Sequence, residues 1–216
     1  MKVLALFLCA LLWTSAVAAD DGWRVVLGKE RQEEPVDASW QGYAEHWSKV
    51  LLEYARDSEK KKNSLLYLPL FSQQARLNLE KALPDMKPLE KVSAINGFIN
   101  FQAKSGTDEE LYGLAEKWAA PAEFFRLARG DCEDFAIAKY FVLREHGFSV
   151  EELRLLIVRE NGDTGHMLLA VLLDGRIYIV DNNSRPRGLV LPENEHLSRY
   201  YSLRFAFNEN GVWQYR

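Results

Sequence analysis

The chain has 216 residues, 48% of them hydrophobic and 27% charged, with 27 Lys plus Arg against 31 Asp plus Glu and a formal net charge of −4. That balance is enough for one ordinary hydrophobic core and gives no reason to invoke nucleic acid or an anionic membrane surface as a partner. No repeat, low-complexity tract or linker interrupts the chain, so a single domain is expected over residues 19–216.

Residues 1–18 read as a signal peptide. Lys2 precedes an apolar run from Val3 to Trp13, and Ala16, Val17 and Ala18 supply the small residues of a cleavage site. The run is too short for an ordinary transmembrane span, and Leu8 stands before Cys9 where lipidation needs a small residue. Export without direct membrane insertion is therefore expected. Cleavage would leave Cys132 as the single cysteine, with no intramolecular disulfide possible. A lone thiol in an oxidising compartment calls for a function, the alternative being a buried cysteine that serves as a small hydrophobe.

A short strand is expected around Arg24 to Leu27. Trp40, Tyr43, Trp47, Val50, Leu51 and Tyr54 recur at three and four residues, which predicts a helix to Arg56, with the KKKN at 60–63 as its solvated end. Further helices are predicted over Ser72 to Leu83, Leu89 to Gln102 and Asp108 to Trp118, with Pro121 opening the approach to the next. From Gly130 to Gly147 the sequence GDCEDFAIAKYFVLREHG describes a helix of about four turns, apolar nearly all round except for Lys139 and therefore central. Asp131 is its N-cap, Asp134 completes a variant capping box, and Cys132 takes the first helical position. A thiol is most easily ionised there, because the helix dipole favours an anion.

Beyond Gly147 the period becomes two. Strands are predicted over Leu153 to Arg159 and His166 to Leu173, separated by an NGDTG turn at 161–165, then Arg176 to Val180 across the Asp174-Gly175 turn. Tyr201 to Phe207 and Val212 to Tyr215 pair across Asn210-Gly211. Helices followed by an antiparallel sheet make the class α+β. With Asp174 and Gly175 as the loop, Leu173 faces Arg176, and His166, Leu168, Ala170, Leu172, Ile177, Ile179 and Asp181 share one face, expected to pack on the cysteine helix. His166 and Asp181 become diagonal neighbours at its open end.

These residues define a nucleophile site. Cys132 would attack a carbonyl as thiolate, His166 would protonate the leaving amine, and Asp181 would fix the imidazole. The bland alternatives are a His166 that simply follows the turn and an Asp181 that caps its own loop. His46, His146 and His196 are poorer candidates, in the polar part of the first helix, at a helix C-terminus and in a polar PENEH segment. Asp131, Glu133 and Asp134 crowd the cysteine with three carboxylates. Acids are favoured at a helix N-terminus, yet three anions beside a thiol oppose its ionisation. A bound cation would resolve the conflict, and oxygen ligands of this kind suit calcium.

Taken together, GDCEDFAIAKY, HMLLAVLL and IVDN, with Trp118, Pro121 and Glu123 before them and Asn208 to Trp213 after, resemble the bacterial transglutaminase-like cysteine proteinases. Ala120 departs from the Thr of the family pattern. The resemblance implies a papain-like or transglutaminase-like core and a triad of Cys132, His166 and Asp181. It also implies a Ca2+ site with Asp131 and Glu133 as ligands and Asp134 as a further one. It implies a periplasmic endopeptidase that cuts the N-terminal region of a large repeat adhesin, releasing it to control biofilm, and that is sequestered by an inner-membrane cyclic di-GMP receptor of the LapD type. The same three residues also suit a transglutaminase or amidase, and a calcium-binding interaction module without catalysis is the alternative of another class.

Overall fold

The computed structural model describes residues 23, 33–60, 63–69, 72–160, 165–183, 190–192 and 201–215. The signal peptide, the strand expected at Arg24 to Leu27, residues 161–164 of the turn expected at 161–165, and His196 lie outside them. Among the described residues, six α-helices precede or include the cysteine: α1 (Trp40–Ser58), α2 (Gln73–Ala82), α3 (Pro88–Gln102), α4 (Asp108–Tyr112), α5 (Pro121–Leu127) and α6 (Cys132–Glu145). A seven-stranded antiparallel sheet follows in the order β1-β9-β8-β4-β5-β6-β7. Its strands are β1 (Glu33–Glu34), β4 (Leu153–Glu160), β5 (Gly165–Leu173), β6 (Arg176–Val180), β7 (Val190–Pro192), β8 (Tyr201–Phe207) and β9 (Val212–Tyr215). The short strands β2 (Lys104–Ser105) and β3 (Arg129–Gly130) pair in parallel beside α6. The α+β expectation is met.

Asp174 and Gly175 both have positive φ, 49° and 72°, so the loop is the tight two-residue turn that sets the hairpin register. Leu173 pairs with Arg176, Leu172 with Ile177 and Ala170 with Ile179, as predicted. The face is not as predicted. Met167, Leu169, Val171 and Leu173 point to the helices and join the cluster of Phe135, Ile137, Ala138 and Phe141 from α6. Leu168, Ala170, Ile177 and Ile179 belong instead to a second cluster on the opposite face, with Leu156, Leu203, Tyr215 and Trp23. Both sides of β5 are covered and both are apolar, so alternation alone does not say which side meets the helix. Trp23 closes the second cluster, donating from Nε1 to the Glu151 carbonyl at 2.7 Å, while the Arg154 guanidinium lies between Trp23 and Trp213.

Every residue of α6 from Glu133 to Leu143 is buried, Lys139 included, as an almost wholly apolar helix requires. An aromatic layer anchors α1 to it: Trp47 meets Tyr140 and Phe207 edge-on at 5.8 and 5.4 Å, and Tyr54 stacks on Phe141 at 3.9 Å. The predicted fourth helix is much shorter than expected. Gly113 takes a left-handed conformation (φ 66°) and ends α4 at Tyr112, so residues 114–120 run as a loop that buries Trp118 beneath α1.

Candidate active site

The cysteine helix delivers its first residue to the rim of the sheet. Cys132 is half-buried, its thiol donates to Glu133 Oε2 at 3.1 Å, and the backbone of Met167 makes a hydrogen bond to its sulfur. Met167 follows His166, so the thiol meets β5 one residue along the chain from the histidine. No hydrogen bond joins Cys132 to His166 among the described residues. Burial, and after it the charges of Glu133 and Asp131, push the thiol well above the ordinary thiol range. The ionisation expected from the helix dipole is thus overridden, first by burial and then by the acids around it.

His166 and Asp181 meet as the hairpin register requires. The Nε2 of His166, which is 8% exposed, lies 3.0 Å from Asp181 Oδ1. With Nε2–H donating there, Nδ1 is the nitrogen left to take a proton. Tyr201 stacks on the imidazole at 5.7 Å and its hydroxyl donates to Asp181 Oδ2 at 3.3 Å. Asp181 Oδ1 also accepts from the Asn183 backbone at 2.8 Å, so Asp181 both caps its loop and holds the histidine. From below, Asn100 Nδ2 donates to the Asp181 carbonyl at 3.1 Å. His146, by contrast, closes the end of α6 with Nδ1 2.8 Å from the Val142 carbonyl, as expected.

The acids beside the cysteine do not cap the helix. Asp131 stands at the N-cap without a capping hydrogen bond, and Asp134 Oδ1 accepts from the Ala119 backbone at 2.8 Å instead of closing a capping box. The buried end of the 114–120 loop, residues 118–120, needs acceptors for its N–H groups, and Asp134 supplies one. Asp108, 4% exposed, joins them from α4 and accepts from the Lys117 backbone. Oxygen atoms of Asp108, Asp131 and Asp134 lie within 4.8 Å of one another, as do those of Asp108, Glu116 and Glu133. Two ligands on opposite sides of a calcium ion at about 2.4 Å are about 4.8 Å apart, so the spacing fits.

Orphaned atoms test the fit independently. Asp108 Oδ1, Asp131 Oδ1 and Asp134 Oδ2 are buried without a hydrogen-bond partner, and so is the neighbouring Tyr112 hydroxyl. Burial is the leading cause that raises all three aspartates, Asp134 to about 8, and Glu133 rises with them. Five carboxylates from two separate stretches, three of them with an oxygen directed at no partner, form a hard oxygen donor set suited to a divalent cation. Asp108 and Glu116 were not legible as part of this set, because both fall within the helix predicted over Asp108 to Trp118, far in the chain from the cysteine. His46 also sits closer than its sequence context implies, stacked on Trp118 at 5.5 Å.

Gly130 leaves the space Asp134 occupies. A Cβ there would stand 2.5 Å from Asp134 Oδ2 and 2.6 Å from its Cβ. Gly130→Ala is therefore expected to displace Asp134 and to weaken calcium binding by about ten- to a hundredfold, measured by calorimetry, with unchanged affinity contradicting the placement.

Three comparisons bear on this arrangement. The family model for the bacterial transglutaminase-like cysteine proteinases matches residues 73–214, from α2 through the cysteine helix to β9. Among solved structures, the calcium-bound LapG of Legionella pneumophila is 28% identical with a TM-score of 0.54, covering 63% of this chain and 74% of that one. The EGTA-treated form of the same protein matches with a TM-score of 0.53 at the same identity, covering 63% and 72%. No curated protein matches the chain. Among the described residues no helix is long and apolar enough to cross a membrane.

Proposed function

The chain belongs to the bacterial transglutaminase-like cysteine proteinases, and from that premise we propose that it is a calcium-dependent periplasmic endopeptidase using Cys132, His166 and Asp181. The observation that carries the triad is the His166–Asp181 hydrogen bond at the end of the strand on which the Cys132 sulfur rests. His166 Nδ1 takes the thiol proton as Sγ attacks the peptide carbonyl, and the backbone N–H of Cys132 stabilises the oxyanion. The imidazolium, held by Asp181, returns the proton to the leaving amine as the C–N bond breaks. His166 then draws a proton from water, whose oxygen attacks the thioester, releasing the carboxylate product and restoring the thiol.

Asp131, Glu133 and Asp134, with Asp108 and Glu116, would hold the calcium ion. Bound there, it supplies positive charge beside the nucleophile and favours the thiolate. Support for calcium comes from the orphaned oxygens above and from the calcium-bound state of the Legionella LapG that this chain is similar to. The proposed substrate is the N-terminal region of a large repeat adhesin, and the proposed regulator is a LapD-type inner-membrane receptor that responds to cyclic di-GMP. Both follow from the family resemblance, as does the periplasmic location, which the signal-like residues 1–18 support.

The test is incubation with a purified N-terminal adhesin fragment from the same genome, first with EGTA and then with calcium restored, followed by mass spectrometry. Two fragments whose masses sum to the substrate plus one water, formed only with calcium, are expected. Cross-linked or amine-modified products would replace hydrolysis with acyl transfer, and cleavage indifferent to EGTA would remove the metal from the reading.

A further inference from the structure

We propose that Tyr201 is a positioning residue for this reaction: its ring covers the His166 imidazole and its hydroxyl holds the Asp181 carboxylate, so that one side chain from β8 fixes both members of the pair. The assignment rests on the triad reading above. It begins with a bulge in the sheet. β8 pairs with β4 as Phe205 with Ile157 and then Leu203 with Val158, so Arg204 is an extra residue between the two pairs. Phe205 and Phe207 join the cluster against the helices, whereas Leu203 and Tyr201 pack in the cluster on the opposite face. Strict alternation from Phe205 would send Leu203 and Tyr201 to the helix side, and the extra residue reverses both. His166 stands opposite Val158, a member of the second cluster, so the bulge brings Tyr201 to the face that carries the histidine.

β4 lies between β8 and β5, so Tyr201 has to reach across a whole strand to touch His166, with roughly 10 Å between the two backbones. A tyrosine is long enough. Its ring stacks on the imidazole with centroids 5.7 Å apart and planes 23° from parallel. Its hydroxyl goes on to donate to Asp181 Oδ2 at 3.3 Å, while Oδ1 is the oxygen that meets His166 Nε2 at 3.0 Å and accepts from the Asn183 backbone. The two carboxylate oxygens thereby have separate partners, and a carboxylate that turned about its Cβ–Cγ bond would lose them all. The hydroxyl thus opposes the rotation that would release Nε2. The ring supplies the second restraint, because an imidazole swings through a broad range about its own χ2 unless something lies against its face. Covering that face also keeps water from competing for Nε2–H, in a pair that is itself buried. A side chain needed only to fill the space would be served by phenylalanine, and what tyrosine adds is the contact to Asp181.

The experiment is steady-state cleavage of the adhesin fragment at saturating calcium, joined to proton NMR of the same protein. Tyr201→Phe keeps the ring and should lower kcat about fivefold with KM within about twofold. In an Asp181→Asn background the same change should cost less than about twofold, because the hydroxyl acts through that carboxylate. Tyr201→Leu removes both restraints and should lower kcat about a hundredfold. The His166 Nε2 proton, sheltered in its bond to Asp181, should be visible at low field in the wild type and in Tyr201→Phe, and lost to exchange with water in Tyr201→Leu. Wild-type kcat in Tyr201→Phe, the full loss repeated in the Asp181→Asn background, or a low-field proton that survives in Tyr201→Leu would each overturn the assignment. If Tyr201→Leu does not fold, Tyr201→Phe and the double variant decide alone. Failure of wild-type cleavage would instead overturn the protease reading, and this inference with it.

Discussion

Cys132→Ala will abolish proteolysis, by at least about 10⁴-fold in kcat/KM, while leaving the fold intact. Without sulfur no acyl-enzyme forms, and the water left in the site has neither the nucleophilicity of a thiolate nor its placement against the Met167 backbone. The structural cost is small, because Cys132 is only half-buried and opens the helix at a position where alanine is well tolerated. Asp181→Asn should be milder, roughly 10²- to 10⁴-fold, since the amide keeps a contact to His166 Nε2 but supports the wrong tautomer and does not stabilise the imidazolium. Retained cleavage by Cys132→Ala, with folding verified by circular dichroism, would remove Cys132 from the chemistry.

The second large effect is calcium-linked stability, and its sign with pH is distinctive. In the metal-free protein the buried acids hold their protons above the ordinary carboxylate range, Asp134 up to about 8. In the unfolded chain they titrate near 4. Between about pH 4 and 8 the folded state therefore binds more protons, and metal-free stability falls as pH rises through that window. Calcium supplies the missing positive charge, so its stabilisation should be larger at pH 8 than at pH 5. At a hundredfold excess over Kd the gain is about 2.7 kcal/mol, or roughly 5–10 °C in Tm for a chain of this size. Asp108→Asn should reduce it, because Asp108 belongs to both ligand groups. A Tm that ignores calcium at pH 8 would contradict the site.

Much of this was legible in the sequence where local rules are strong. The Asp174-Gly175 turn fixes its strand pairing, so the diagonal meeting of His166 and Asp181 followed from counting alone. The apolar GDCEDFAIAKYFVLREHG segment likewise announced a central helix. The face of β5 was misjudged because HMLLAVLL is apolar on both sides, and periodicity carries no information where both sides are buried. The acid cluster was half-visible. Asp131, Glu133 and Asp134 stand together in the chain, but Asp108 and Glu116 join them only because Gly113 ends α4 early and turns the following loop beneath α1. Lys139 was visible as a lone charge in an apolar helix, and the structure buries it completely.

The most direct test of a calcium-governed thiol nucleophile needs no substrate. The rate of Cys132 alkylation by iodoacetamide at neutral pH, followed by intact mass, should be low in EGTA, where Glu133 accepts the thiol hydrogen bond and burial disfavours the thiolate. It should rise tenfold or more when calcium is restored. Equal rates with and without calcium, or a thiol already fast in EGTA, would contradict the account.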